Sequence, residues 1–569
     1  MGSNLNIFKR FRSLILYERW MLACVALAAL LRLVLIAFNW PYTDSDEGNM
    51  GVLALHVAFQ GAHPVFFYGG NYLGPLEGYV AAPLFRLFGS SLFALRLPLV
   101  LFFVLFLIGM YYLIRLLYDS RKYALATVIL LGLGSPDVLF LQLRASGEYP
   151  ELEMFAALMC LMAVGLALTT SQWQQTGARV KWKRISLYAL LGLIVGIALW
   201  VDLLAGPFVL AMGLLLCFFC WRELVRWPAL GLLTGFIVGA FPLIYYNLTA
   251  PWSQNSWYVL RSLQASGEAQ FLASHLTWLN KLAGTFFVAL PMATSGGWGC
   301  EPTVFPSAGA YASTTVPCVL LQGGWSAGYL LLWLVAVCVA VLAIWRIVYP
   351  WFARLKESAD TSEETRRQLI RQGGRLVVLV SVGLTLMLYT ESPSPAVAPD
   401  TSFRYLTCLL LALPVLLWPL WQGLGKSKRS MKWWMQSALL LLVAATVTTG
   451  AVKSLLQMST TQARYAEQQS LVQNLQQVGA TRLYSDYWTC NILIFLSKEK
   501  IICSAVEANM APAQDRYLPY RLIVHATPHP GYIFASDSSQ ARIMQQRAAA
   551  DPTHYRVYHF FEYVVYQET

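Results

Sequence analysis

Charge is what this chain has least of. Only 12% of its 569 residues are Asp, Glu, Lys or Arg, while 57% are hydrophobic. A soluble domain carries roughly twice that charged fraction, so a water-facing globule of this length is excluded. Acids are the scarcer sign, with 29 against 41 bases and a net charge of +12. That excess does not mark a nucleic-acid binder, because the cations flank apolar runs on alternate sides instead of gathering in one patch. Low-complexity tracts and solenoid repeats are lacking. So is a zinc-finger spacing among the cysteines, and no cleavable leader is evident. The first apolar run is too long and has no small-residue cleavage site, which predicts a retained anchor.

What is present instead is a series of apolar runs of about 17 to 25 residues, the length a helix needs to cross a bilayer. Eleven are read, at 20–38, 93–117, 123–142, 152–170, 185–203, 205–221, 229–247, 326–349, 375–391, 404–421 and 433–456. The expected fold class is an α-helical polytopic membrane protein of about eleven transmembrane helices with a small C-terminal α/β domain. Placing the N-terminus in the cytoplasm collects Lys9, Arg10, Arg12, Arg121, Lys122, Arg179, Lys181, Lys183, Arg184, Arg222 and Arg226 in inside loops. Arg366, Arg367, Arg371, Lys426, Lys428, Arg429 and Lys432 join them. An odd number of spans then puts residues 457–569 outside. Without a retention tail, the bacterial inner (plasma) membrane is the expected location.

Six of the ten cysteines (Cys24, Cys160, Cys217, Cys220, Cys338, Cys408) fall in spans, where Cys is a small apolar residue. The other four fall outside, as Cys300 with Cys318 and Cys490 with Cys503, and each pair is a disulfide candidate in an oxidising compartment. Residues 1–456 read as a transmembrane module with two long outside loops, 40–92 and 248–325. In the first, a helix over Met50–Gln60 is expected to lie along the membrane surface on an apolar face. A Gly-rich turn over 67–77 follows it. In the second, Trp252, Trp257 and Trp278 are expected at headgroup level, with amphipathic segments at 256–274 and 276–290. The tail 457–569 is long enough for a core of its own. It reads as a Gln-rich helix over 460–478 stopped at Gly479, then strands over 482–487, 501–506, 521–526 and 532–535. A helix near 538–550 and a closing strand or hairpin over 555–566 complete it. Tyr484 to Trp488 reads preferentially as strand core, with a glycan- or lipid-facing patch as the alternative.

Polar residues at span ends are functional candidates, since burial in lipid penalises them. The cluster Asp44, Asp46 and Glu47 follows the first span, and three carboxylates at a membrane surface are costly unless water, a cation or a substrate meets them. Arg32 lies within that span, in reach of pairing or snorkelling. Arg144, Glu148, Asp202, Asp400, Arg404 and Tyr405 also fall at outer span ends, which suggests one outward cavity. Glycosyl transfer from a lipid-phosphate sugar needs such a set. A carboxylate takes the proton of the attacking hydroxyl, and Arg, Tyr or a metal balances the departing phosphate. His56 and His63 flank the surface helix, and catalytic use of them is disfavoured. Asn247-Leu248-Thr249 matches a sequon that matters only in a eukaryotic lumen.

Asp46-Glu47 after a span carrying an Arg resembles the first-loop motif of the GT-C glycosyltransferases. The branch it is similar to is family 39, with the protein O-mannosyltransferases and aminoarabinose transferases. The run Gly70 to Tyr79, with Ala82-Pro83-Leu84-Phe85 and Leu95-Arg96-Leu97-Pro98, resembles its bacterial members. Arg404-Tyr405-Leu406 and Tyr487-Trp488 through Cys503 are similar too. The resemblance implies inverting transfer of a monosaccharide from a polyprenyl-phosphate donor at the outer face, to a glycolipid, glycan or protein hydroxyl. It implies Asp46 as general base, with Glu47 orienting the acceptor or sharing the proton. Asp44 is left open as the real base or as a cation ligand. Arg404, Tyr405 and Arg144 would face the donor phosphate, and Tyr72, Glu77, Glu148, Asp202 and Asp400 would line the substrate cavity. Glu77 also reads as a holder of the Gly-rich turn. No fixed metal motif is seen, so a divalent cation is not expected to be strictly required, and no other cofactor or nucleic-acid partner is expected. The competing readings are a lipid-linked sugar transporter, which would show broken helices at mid-membrane, and a scaffold displaying the tail.

Overall fold

The computed structural model describes residues 2–173, 178–264, 277–297, 300, 316–353, 363–424 and 431–569. The second half of the expected segment 256–274, all of 301–315, and Lys426, Lys428 and Arg429 lie outside the described residues. Among the described residues, nine helices are long and apolar enough to cross a membrane, and eleven segments if each of two bent pairs counts as one. Every span read from the sequence has a counterpart among them.

The two bent pairs differ from the continuous spans expected there. Arg121–Gly132 and Pro136–Leu143 meet at 83°, and Trp227–Gly239 and Phe241–Thr249 at 64°. In the first, Pro136 steers the residue before it out of the helical region. Ser135 then restarts the helix, its Oγ accepting from the Val138 N–H at 3.3 Å. In the second, Pro242 stands in the opening turn of the new helix, where a missing N–H costs nothing.

The chain divides into two compact units that do not follow chain order. One is Met1–Leu31, Leu101–Gln142 and Tyr149–Ser454; the other is Arg32–Val100, Leu143–Glu148 and Leu455–Thr569. In the first unit, Ala178–Val201 and Trp227–Gly239 cross with backbones nearly touching. A side-chain carbon on Gly235 would stand 1.9 Å from the Ala189 carbonyl oxygen, so only glycine fits that crossing. A buried pair, Arg184 with Glu223 at 2.8 Å, ties Ala178–Val201 to Gly206–Leu224. Arg184 also donates to the carbonyl of Leu166 and to Thr169 and Thr170. The structure joins Cys300 to Cys318, with Cα atoms 5.6 Å apart.

In the second unit the first loop and the tail form one body. The tail carries a five-stranded sheet of order β2-β1-β3-β5-β4, with β1 Arg482–Ser485, β2 Ile502–Ala505, β3 Gly531–Ala535, β4 Tyr555–Phe560 and β5 Tyr563–Glu568. Strands β1, β2 and β3 run parallel, while β4 and β5 form an antiparallel hairpin. The Gln-rich helix Met458–Gln477 ends before Gly479, which takes φ +77. Of residues 521–526, expected as a strand, 521–525 lie instead in the helix Leu518–His525 and Ala526 is its C-cap. Pro519 opens that helix, and Tyr520 and Val524, four apart, are its buried side. The helix Tyr487–Leu496 was not anticipated; Asp486 caps it, accepting from the Trp488 and Thr489 N–H groups. The helix Leu76–Phe88 was likewise not distinguished from its loop. Cys490 is joined to Cys503, Cα to Cα 5.2 Å.

The first-loop helix spans Ser45–Leu55 and continues as a wider turn over His56–Gln60. It does not lie on a surface by one apolar face, since all eleven residues of Ser45–Leu55 are buried. Its partner is the tail helix Tyr487–Leu496. Gly48 and Gly51 open the way. A side-chain carbon on Gly48 would meet the Asn491 backbone at 2.6 Å, and one on Gly51 would meet the Phe495 ring at 2.4 Å. Ser45 Oγ donates to the Tyr487 carbonyl at 2.6 Å and accepts from Asn491 Nδ2 at 2.8 Å.

Candidate functional site

The acidic cluster opens the buried helix Ser45–Leu55, and each of its three carboxylates has its own arginine. Asp44 is the helix cap. Its Oδ1 accepts from the Glu47 N–H at 3.0 Å and its Oδ2 takes Arg144 Nη1 at 2.7 Å. Both oxygens are therefore occupied. Burial pushes the Asp44 carboxyl above the ordinary carboxylate range, against the pull of Arg144 and with a further push from Asp46. Glu47 is fully buried and takes Arg96 in a two-point pair, Nε at 2.7 Å and Nη2 at 2.6 Å. The Ala145 N–H adds a third bond to it at 2.9 Å.

Asp46 is held differently. Tyr487 donates its hydroxyl to Oδ1 at 2.5 Å, and Arg516 Nη2 approaches the same oxygen at 3.1 Å. Among the described residues nothing donates to Oδ2. Arg516 Nε in turn donates to the Tyr487 oxygen at 2.7 Å, closing a triangle. Burial and the Asp46 charge push the Tyr487 hydroxyl up, so it stays protonated and donating. Burial works against the Arg516 charge, but Tyr487 and Asp46 outweigh it and hold the guanidinium above its usual value. The Arg516 guanidinium also stands 5.6 Å from the Phe67 ring centre and 5.5 Å from that of Tyr487. Gly69, at φ +78, is what admits it, since a side-chain carbon there would lie 2.6 Å from Arg516 Cδ. This is the physical use of the Gly-rich run.

Residues 143–148 form a buried turn beside the cluster. Gly147 takes φ +104 and Glu148 takes φ +61, a region that costs a non-glycine residue about 1 to 2 kcal/mol. The turn aims its N–H groups at carboxylates, Ala145 at Glu47 and Gly147 at Glu77 Oε2, the latter at 3.3 Å. Glu77, fully buried, thus holds this turn. Glu148 is buried as well, and Tyr72 is half-buried in the Gly-rich run. Arg32 is fully buried.

His56 anchors a neighbouring knot. Its Nδ1 meets the Tyr68 hydroxyl at 2.8 Å, and its Nε2 meets Glu499 Oε1 at 3.0 Å and the Tyr520 hydroxyl at 3.1 Å. Glu499 also accepts from Tyr520 and Gln60. Burial would raise the Glu499 carboxyl, but these bonds from His56, Tyr520 and Gln60 bring it below its ordinary value.

The remaining expected residues lie in the other unit. Asp202 caps a short turn, its Oδ1 accepting from the Leu204 N–H at 2.9 Å. Asp400 stands in the first turn of Pro399–Ser402. Arg404 and Tyr405 are half-buried at the start of a ten-residue 3₁₀ helix, Phe403–Ala412, with the guanidinium 5.4 Å from the Tyr405 ring centre. Runs of 3₁₀ helix this long are uncommon and mark a hinge or a strained sequence. The same unit holds buried acids outside the expected set, Glu151 and Glu153 in addition to Glu223. Glu153 accepts from Gln142 and Thr407. The position of Glu151 and Glu153 at the start of a span was the available signal. Arg96 gave the same signal, a cation inside an apolar run that must find an acid. Arg516 gave none.

Among the described residues no group of three or more His, Cys, Asp or Glu is placed to hold a metal ion.

No family model and no curated protein matches the sequence. Solved structures do match in shape. An oligosaccharyltransferase of Archaeoglobus fulgidus, tethered to an acceptor peptide, aligns over 97% of this chain and 74% of its own, with a TM-score of 0.51 and 13% identity. The oligosaccharyltransferase AglB of the same organism, with an inhibitory peptide and dolichol-phosphate, gives 95%, 73%, 0.46 and 12%. ArnT of Cupriavidus metallidurans bound to undecaprenyl phosphate gives 97%, 98%, 0.43 and 15%. At such identities the likeness is one of fold alone: the fold this chain shares is that of the tethered oligosaccharyltransferase.

Proposed function

We propose that the chain is an inverting glycosyltransferase that moves a monosaccharide from a polyprenyl-phosphate donor to an acceptor hydroxyl at the outer face of a membrane. Asp46 is its general base. The observation that carries the reading is the asymmetry of that carboxylate: Oδ1 is fixed by Tyr487 and Arg516, while among the described residues nothing donates to Oδ2. An acceptor O–H docked on Oδ2 loses its proton there as its oxygen bonds the anomeric carbon. The anomeric carbon–phosphate oxygen bond breaks on the opposite side, and its electron pair leaves with the phosphate. The sugar inverts.

In this reading Asp44 and Glu47 are not bases. Asp44 caps the helix and holds Arg144, and Glu47 is consumed by Arg96 and Ala145. That leaves Arg404 and Tyr405 as the phosphate-facing pair, with Tyr72, Glu148, Asp202 and Asp400 as cavity residues. Because each cluster carboxylate is balanced by an arginine, no cation is needed to neutralise it. Transfer in excess chelator is therefore expected to match the untreated rate. Activity abolished by chelator and restored by one metal overturns that part.

The test is transfer from a short-chain polyprenyl-phosphate sugar by the purified protein in nanodiscs. Asp46→Asn and Arg404→Ala are each expected to lose transfer by a factor of about 10² to 10⁴. Two bent spans are what a lipid-linked sugar transporter would share. Flipping of labelled donor without product would favour that second reading.

A further inference from the structure

We propose that the tail carries a second binding site, for a saccharide unit bearing a phosphate or carboxylate. None of its residues belongs to the acidic cluster, so the proposal stands apart from the transfer reading. The site is a cavity of about 390 Å³ where β1, β2 and β3 meet the helices Leu518–His525 and Ser539–Ala550. That volume suits one or two sugar rings.

The cavity lies over the register row Ser504, Tyr484 and Tyr532, and it reaches the carboxyl end of one strand, β2. Ser504, Ala505 and Val506, which line the cavity, are the carboxyl end of β2 and the residue after it.

The lining chemistry names the ligand class. Tyr484 and Tyr532 are register partners in β1 and β3. Their rings stack with centroids 5.3 Å apart and planes within 26°. Both are half-buried. The pair gives the cavity an aromatic wall with no slot between the rings for a base, and Tyr532 donates its hydroxyl to Glu568 at 3.2 Å. Around the wall stand Arg521, His525 and Arg547, and no carboxylate is among the lining residues. Arg521 is pre-aimed: Asp515 takes its Nε at 2.8 Å and the Ala513 carbonyl takes its Nη2. Asp515 in turn accepts from Ser504 Oγ and the Ala505 N–H, fixing it to the strand end. His525 and Arg547 are exposed and form no ion pair among the described residues. A guanidinium pair beside an aromatic wall fits an oxyanion carried on a ring.

The test is titration calorimetry of the full-length protein in nanodiscs with glucose 1-phosphate, glucose, inorganic phosphate and adenosine monophosphate. Glucose 1-phosphate is expected to bind at least tenfold more tightly than glucose or phosphate. Arg547→Ala and His525→Ala are expected to weaken it at least fivefold each, and Arg542→Ala, on the same helix but outside the cavity, to leave it unchanged. Asp46→Asn is expected to retain this binding, which separates it from the catalytic cluster. Binding unaltered by Arg547→Ala and His525→Ala overturns the proposal. So does phosphate alone binding as tightly, tighter binding of the nucleotide, or no binding. Both residues are exposed, and unchanged melting of the variants confirms that a loss is not unfolding.

Discussion

At the scale of single residues, three acids adjacent in sequence are separated by what meets them. The sequence showed the cost of three carboxylates at a bilayer edge but not what offsets it, and the answer is arginine from three distant places: Arg144, Arg96 and Arg516. Arg96 was legible in principle, because a cation within an apolar run needs an acid. Arg516 stands 470 residues from Asp46 in a tail with ordinary surface charge, and no local pattern points to it. The Glu47–Arg96 pair is fully buried, so removing one member strands the other's charge. Arg96→Leu is therefore expected to destabilise the fold by about 3 to 5 kcal/mol. Thermal unfolding in detergent should show the loss as a large fall in melting temperature, while a fall no greater than that of an exposed arginine variant contradicts the role given to Glu47.

At the scale of elements, hydropathy located every span because length and apolarity are local properties, yet it could not give the 83° and 64° bends, which are set by Pro136 and Pro242 in context. The helix Leu518–His525 was misread because Leu, Ile and Val in a short run favour a strand by propensity, whereas Pro519 and the Tyr520–Val524 spacing decide for a helix. The first-loop helix was misread for a related reason. One apolar face fits a membrane surface as well as a protein partner, and the partner lies over 440 residues away in sequence. Gly48 and Gly51 are the trace that partner left. Gly51→Leu is expected to force Ser45–Leu55 away from Tyr487–Leu496, seen as faster amide exchange in both helices. Protection equal to the parent's in both would contradict the packing account. The His56 knot yields a pH prediction. Glu499 sits below its ordinary value of 4.5, so it adds stability above that pH and the gain is lost as pH falls through its folded value. Melting temperature should drop more steeply below about pH 4.5 in the parent than in Glu499→Gln, and parallel curves would remove the claim.

At the scale of the whole molecule, composition alone made this an integral membrane chain, and the ladder of spans set its class. The partition into units was not legible. Chain order suggests a membrane module followed by a tail, whereas one compact unit gathers Arg32–Val100, Leu143–Glu148 and Leu455–Thr569. That gathering is what brings Tyr487 and Arg516 onto Asp46. The central claim is that this arrangement leaves one carboxylate oxygen, Asp46 Oδ2, to take a proton. The most direct measurement is single-turnover transfer by Asp46→Asn beside Asp44→Asn, in preparations matched for melting temperature. The account predicts that Asp46→Asn loses about a thousandfold in rate while Asp44→Asn loses far less. An Asp46→Asn protein that transfers at the parental rate, or an Asp44→Asn protein that alone is dead, contradicts it.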